Sequence, residues 1–147
     1  MKAVLVSACL LGECCRYDGK SKPCAAVLAL AERYRLIPVC PEVFGGLPTP
    51  RVPSEICGDR VMMRDGTDVT KNYRDGAQKA LEMARENGCE VAILKEKSPS
   101  CGKGMVYDGT FSGTLTKGNG IAAALLMQHG IRVLTERELD EKGADLL

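Results

Sequence analysis

Residues 91–102, Val-Ala-Ile-Leu-Lys-Glu-Lys-Ser-Pro-Ser-Cys-Gly, leave few folds open to this chain. Val91 to Leu94 is apolar and carries no alternation, the pattern of a central parallel strand covered on both faces. Ser98-Pro99 stops it, because proline cannot donate to a ladder and pushes the residue before it towards an extended conformation. Ser100, Cys101 and Gly102 then fall in a loop past the carboxyl end of the strand. In open α/β sheets that edge is where ligands bind.

The rest of the chain alternates in the way such a sheet requires. Lys2 to Ser7 reads as the first strand, with Cys9 just beyond it. Lys22-Pro23 opens a crossover helix whose apolar residues Val27, Leu28, Leu30 and Ala31 recur at helical spacing within Cys24 to Tyr34. Leu36 to Cys40 is the second strand, placed near an edge by Pro38. Residues 41–55 hold four prolines and two glycines and read as a long irregular loop, a functional length for a connection. A small hairpin, Arg60 to Arg64 turned by Asp65-Gly66, precedes a long helix from Lys71 to Glu86, whose apolar line is Tyr73, Ala77, Ala80, Leu81 and Ala84. Met105 to Gly113 reads as a glycine-punctuated hairpin or loop. Ile121 to Gln128 is a last crossover helix, Ile131 to Thr135 a fourth strand, and Glu136 to Lys142 a short terminal helix. The expectation is a single α/β domain over residues 1–147, Rossmann-like and three-layered, with a mainly parallel sheet of about four strands.

At 147 residues and a formal charge of +1, the chain lacks the basic footprint of a general nucleic-acid binder. Four tyrosines, two phenylalanines and no tryptophan also disfavour a base-stacking platform for single strands. The eight cysteines show no repeated spacing, and a chain of this size needs no staples, so they read as reduced thiols in a cytoplasm. The apolar run before Cys9 is too short for a signal-peptide core, and no run approaches membrane-spanning length.

Cys9, Cys40 and Cys101 each follow a separate strand. Parallel strands end on one edge and neighbours stand about 4.8 Å apart, so three such ends fall within roughly 10 Å and their thiolates can meet at one metal centre. Cys24 and Cys89, on a helix and at a strand entry, read as core hydrophobes. Cys14, Cys15 and Cys57 stay unassigned. Structural zinc wants four closed ligands, and His129 near a helix end makes a poor fourth; it reads as a surface cap. An iron-sulfur cluster on three cysteines keeps one iron free for a soft, sulfur-bearing substrate.

Polar residues at the same edge are the catalytic candidates. Glu42, two residues after Cys40, is suited to acid/base work. Ser98 and Ser100 can orient a substrate or water, or simply cap their turn. Lys95 and Lys97 read as side chains snorkelling off the strand end. Gly118-Asn-Gly-Ile-Ala-Ala123 imitates a dinucleotide fingerprint without a clean strand before it. Gly113 to Gly118 lacks the Lys-Ser/Thr of a phosphate loop, though it can still lead to a helix terminus that faces an anion.

The motifs Val6-Ser-Ala-Cys-Leu-Leu-Gly12, Arg16-Tyr-Asp-Gly19, Cys40-Pro-Glu42, Gly45-Gly-Leu-Pro-Thr-Pro-Arg51, Gly66-Thr-Asp-Val-Thr70, Ser98-Pro-Ser-Cys-Gly102 and Tyr107-Asp-Gly-Thr-Phe111 together resemble the bacterial thiouracil desulfidase family, over Lys2 to about Glu138. The resemblance implies a Rossmann-like fold with an oxygen-sensitive [4Fe-4S] cluster on Cys9, Cys40 and Cys101. It implies removal of sulfur from thiouracil or a related thiolated nucleobase or nucleoside, C=S becoming C=O with release of hydrogen sulfide and no net redox change. Glu42 would handle the water proton, and Ser98 would help position the base. Cys14-Cys15 departs from an apolar residue expected before Arg16, and a thiolate there reaching the cluster would compete for the open iron. The expected partner is a small thiolated pyrimidine, with thiolated RNA unsupported by charge. Two other readings remain open: a non-catalytic zinc or iron-sulfur module, and a sulfur carrier that forms a persulfide on an exposed cysteine.

Overall fold

The computed structural model describes residues 1–147. Strands β1 (Ala3–Ser7), β2 (Arg35–Val39), β5 (Val91–Leu94) and β8 (Arg132–Thr135) form one sheet in the order β2-β1-β5-β8, with every neighbouring pair parallel. The unalternating runs of β1 and β5 are central, as their burial requires, and β2, with Pro38, is an edge.

Alternate residues divide between two cores. Leu5, Ala92, Leu94 and Val133 pack against Leu81 and Ala84 of α3 (Thr70–Glu86) and Ala123 and Leu126 of α4 (Ile121–Gln128). Val4, Val6, Ile93 and Leu134 pack against Val27 of α1 (Ala25–Ala29) and Leu139 of α5 (Glu136–Lys142). This is the three-layer, Rossmann-like α/β architecture expected from the strand-helix alternation. Full burial of each leucine, isoleucine or valine among them contributes about 1.5–3 kcal/mol. No helix is long and apolar enough to cross a membrane.

Several boundaries differ from the sequence reading. The first crossover helix begins only at Ala25 and gives way to a 3-10 turn at Leu30–Glu32, with Cys24 extended at its cap. Residues 41–55 are not irregular throughout: Pro41–Phe44 forms α2, proline occupying a first-turn position where no donor is needed, and Ser54 begins β3 (Ser54–Cys57). The small hairpin therefore pairs β3 with β4 (Arg60–Met63) around Gly58-Asp59. Asp65-Gly66 does turn the chain, but its return makes only one isolated bridge, Met62 with Asp68. A last hairpin joins β6 (Met105–Tyr107) to β7 (Leu115–Lys117), with residues 108–114 as its loop.

Candidate active site

The carboxyl ends of β1, β2 and β5 open on a cleft of about 560 Å³, lined by Cys9, Cys15, Cys40, Cys101, Glu42 and Ser100 among others. That volume lies within the usual range for small-molecule sites. Cys9 sits in the 3-10 turn Ala8–Leu11 that follows β1, Cys40 caps α2 after β2, and Cys101 lies in the loop after β5. Cys9 packs against one core and Cys101 against the other, yet both reach the same cleft where the sheet between them ends.

Four thiols line this cleft: Cys9, Cys15, Cys40 and Cys101. Cys15 is within hydrogen-bond reach of both Cys40 and Cys9, while Cys14 is exposed. Burial pushes the Cys101 thiol up to about 12, with polar contacts to Ser7 and Ser100 acting against it. Cys40 is raised by its hydrogen bond with Cys15 and by burial. At Cys15 the Cys40 hydrogen bond lowers the thiol, but the bond with Cys9 and burial outweigh it and leave it up at about 11. Such thiols stay protonated at neutral pH until a soft cation displaces the proton. No three His, Cys, Asp or Glu side chains are gathered closely enough for a single ion. The donor set is sulfur around a cleft, and it fits a cluster with several irons better than a closed zinc site.

Glu42 projects from α2, whose seat is set by two glycines. A Cβ on Gly76 of α3 would collide with the Pro41 carbonyl, and one on Gly45 with the Asn72 carbonyl, so the two backbones touch. Asn72 Nδ2 also donates to the Gly45 carbonyl at 2.9 Å. The Glu42 carboxylate accepts from Arg51 Nε at 3.1 Å through Oε1 and from Ser100 Oγ at 2.8 Å through Oε2. Ser98 Oγ lies 2.9 Å from Ser100 Oγ; with Ser100 donating to Glu42, the Ser98 hydroxyl donates to Ser100. Ser98 Oγ itself accepts the backbone N–H groups of Ser100 and Cys101, both at 3.1 Å. The three hydroxyl and carboxyl groups named from sequence thus form one chain, Ser98 to Ser100 to Glu42.

Sequence reasoning passed over Arg51 and Tyr73. The Arg51 side chain is 3% exposed and paired with Glu42. Tyr73 was read as one more apolar position of α3, and its ring is indeed buried. Its hydroxyl nevertheless lies beside Glu42 and Ser54 and is raised above the usual tyrosine range, first by burial and then by the Glu42 charge. A tyrosine on an apolar stripe below a carboxylate loop was the only signal available.

Other expectations resolve simply. Cys89 is buried in a core and Cys24 packs beside one. Cys57 Sγ points to the Gly109 carbonyl at 3.5 Å. His129 caps α4, with Nδ1 2.8 Å from Arg85 Nη2. Lys95 is not merely snorkelling, since its Nζ pairs with Glu136 at 2.9 Å. The amino terminus of α4 does not face an anion: the N–H groups of Gly120, Ile121 and Ala122 go to the carbonyls of Gly102, Pro99 and Ser100 at 2.6, 2.9 and 2.9 Å. The glycine-rich 118–120 stretch serves to bring α4 against the Cys101 loop, where a Cβ on Gly120 would stand 2.5 Å from the Ser100 carbonyl.

Comparison with known proteins places this geometry. Over residues 4–138 the chain matches the family model described as 2-thiouracil desulfurase. It is 43% identical over 148 residues to the uncharacterized protein YbbK of Bacillus subtilis (strain 168), covering 94% of this chain and 98% of that protein. The fold is similar to that of the [4Fe-4S]-dependent thiouracil desulfidase TudS, with a TM-score of 0.90 and 46% identity over 96% of this chain and 95% of the other. By the extent of these matches, the chain belongs to the 2-thiouracil desulfurase family.

Proposed function

We propose that this chain, acting as one domain over residues 1–147, is a [4Fe-4S]-dependent desulfidase that replaces the thiocarbonyl sulfur of thiouracil or a related thiolated pyrimidine with oxygen. The observation that carries the reading is the joint opening of Cys9, Cys40 and Cys101 with Glu42 and Ser100 on one cleft, in a chain 46% identical to TudS. Water adds its oxygen to the ring carbon as the C–S bond breaks, C=S becomes C=O, and sulfur leaves as hydrogen sulfide. Oxidation states do not change.

Cys9, Cys40 and Cys101 would hold the cluster, which when bound supplies a soft Lewis acid for the departing sulfur. Glu42 takes the proton of the incoming water at Oε2, the carboxylate oxygen not engaged by Arg51. Ser100 aligns that oxygen by donating to it, and Ser98 aligns Ser100. Because two backbone N–H groups already occupy the Ser98 oxygen, Ser98 fixes the Cys101 loop as much as it faces a base. Tyr73, buried beside Glu42, forms the floor under that carboxylate.

Eight free cysteines suit a reducing cytoplasm. A charge of +1 favours a small pyrimidine over thiolated RNA. The test is anaerobic cluster reconstitution followed by assay of hydrogen sulfide and uracil from thiouracil. Stoichiometric appearance of both supports the reading. A reconstituted, iron-loaded protein that releases neither would overturn it.

A further inference from the structure

Arg51 makes more contacts than a partner for one carboxylate needs. Nε donates to Glu42 Oε1 at 3.1 Å, Nη1 to the Pro48 carbonyl and Thr49 Oγ1, each at 3.1 Å, and Nη2 to the Cys15 carbonyl at 2.9 Å. Its backbone N–H donates to the Tyr17 carbonyl at 2.7 Å. The guanidinium therefore spans two walls of the cleft: α2 with its carboxylate on one side, and the 15–17 turn with a cleft thiol on the other. Neither wall is held to the other by regular structure. α2 has four residues, and residues 12–24 lie outside any helix or strand.

We propose that Arg51 is the positioning residue of the reaction, a planar fork that holds the Glu42 carboxylate and the Cys15 turn in one frame, so that Oε2 faces the sulfur-lined wall. The inference rests on the desulfidase reading and names a residue for it. A lysine keeps the charge, but its ammonium cannot reach the carboxylate, the Cys15 carbonyl and the Pro48 carbonyl in the same plane. Misplacement of a proton acceptor by about 1 Å costs on the order of 100-fold in rate. The side chain is buried and its donors are all engaged by protein acceptors, so its loss should tell on kcat more than on KM.

The test uses reconstituted wild-type, Arg51→Gln and Arg51→Lys enzymes, measuring iron content, kcat and KM for thiouracil and the Tm of each. The expected result is wild-type iron content, kcat down about 100-fold in Arg51→Gln with KM changed less than about threefold, and no more than slight recovery in Arg51→Lys. Should Arg51→Gln fail to fold, Arg51→Lys alone carries the comparison. Wild-type kcat in either variant overturns the proposal, as does a fall in kcat matched by an equal fall in iron, which would mark a role only in holding the cleft together. A loaded wild-type enzyme that releases no sulfide overturns the desulfidase reading itself, a result separate from either of these.

Discussion

Ser100 donates its hydroxyl hydrogen to Glu42 at 2.8 Å, although 58 residues separate the two along the chain. The contact joins the loop after β5 to the helix after β2, and it engages Oε2, the carboxylate oxygen that Arg51 leaves free. Glu42→Gln should lower kcat for sulfide release by about 10²–10⁴-fold, the usual contribution of a positioned acid or base. Ser100→Ala should lower it by a smaller factor, with iron content unchanged in both. Steady-state kinetics beside an iron assay check this, and a fully active Glu42→Gln enzyme would remove Glu42 from the chemistry.

Cysteine replacements should sort by position. Cys9→Ser, Cys40→Ser and Cys101→Ser are each expected to lose bound iron and the brown absorbance of an anaerobically loaded protein. Cys89→Ala, in a core, and Cys14→Ala, exposed, should retain both. Chelation of iron from the wild type should abolish sulfide release, and reconstitution should restore it. Iron and acid-labile sulfide per chain decide each case.

Glycine substitutions offer a test of assembly. Gly76→Ala sets a methyl group against the Pro41 carbonyl, and Gly120→Ala sets one against the Ser100 carbonyl. Neither neighbour is a flexible side chain that can swing aside, so each variant should lose about 1–3 kcal/mol of stability. Gly76→Ala should also lose more activity than its stability loss explains, because the displaced helix carries Glu42. Gly88→Ala, with nothing near but a φ of +66°, should cost stability and spare kcat.

Leu5 is fully buried in the centre of the sheet. Leu5→Ala should cost about 2–5 kcal/mol and lower Tm by roughly 5–15 °C, read by thermal unfolding.

Acid stability should depend on Glu96. Its hydrogen bonds from Arg137, at 3.0 Å to each oxygen, hold its carboxyl below the ordinary value of 4.5. The unfolded chain binds the proton more tightly, so this contribution is complete above pH 4.5 and is lost as pH falls through the lower folded value. Urea midpoints of wild type and Glu96→Gln should differ at pH 7 and converge below pH 4.5. A constant difference across that range would show that the pair contributes nothing through ionisation.

Much of the candidate site's placement was legible because strand ends in a parallel sheet share an edge. Once β1, β2 and β5 were recognised from apolar runs, Cys9, Cys40, Cys101 and Glu42 followed. Arg51 and Tyr73 were not legible, since their roles depend on where α2 docks, and that is decided by the Gly45 and Gly76 contacts between segments 31 residues apart in the chain. The Cys15 contact was likewise raised as a question but not answered, because a turn without periodicity gives no direction for its side chains. The hairpin was misread for a local reason: Asp65-Gly66 is a true turn, but the stronger pairing partner lay before β4, in a stretch whose prolines hid a strand. Pro53 directly precedes β3, where a missing donor does not interrupt the ladder.

The shortness of α2 has a further consequence. Four residues cannot hold a helical turn in water, where isolated segments below about 12–15 residues are marginal. Glu42 therefore keeps its place in the cleft only while α3 stands beneath it. A lesion confined to the first turns of α3, around Asn72 and Gly76, would unseat α2 while Leu81 and Ala84 further along the helix stay packed on the sheet: the expected protein is coloured and loaded with iron, yet has lost its hold on the carboxylate beside the sulfur.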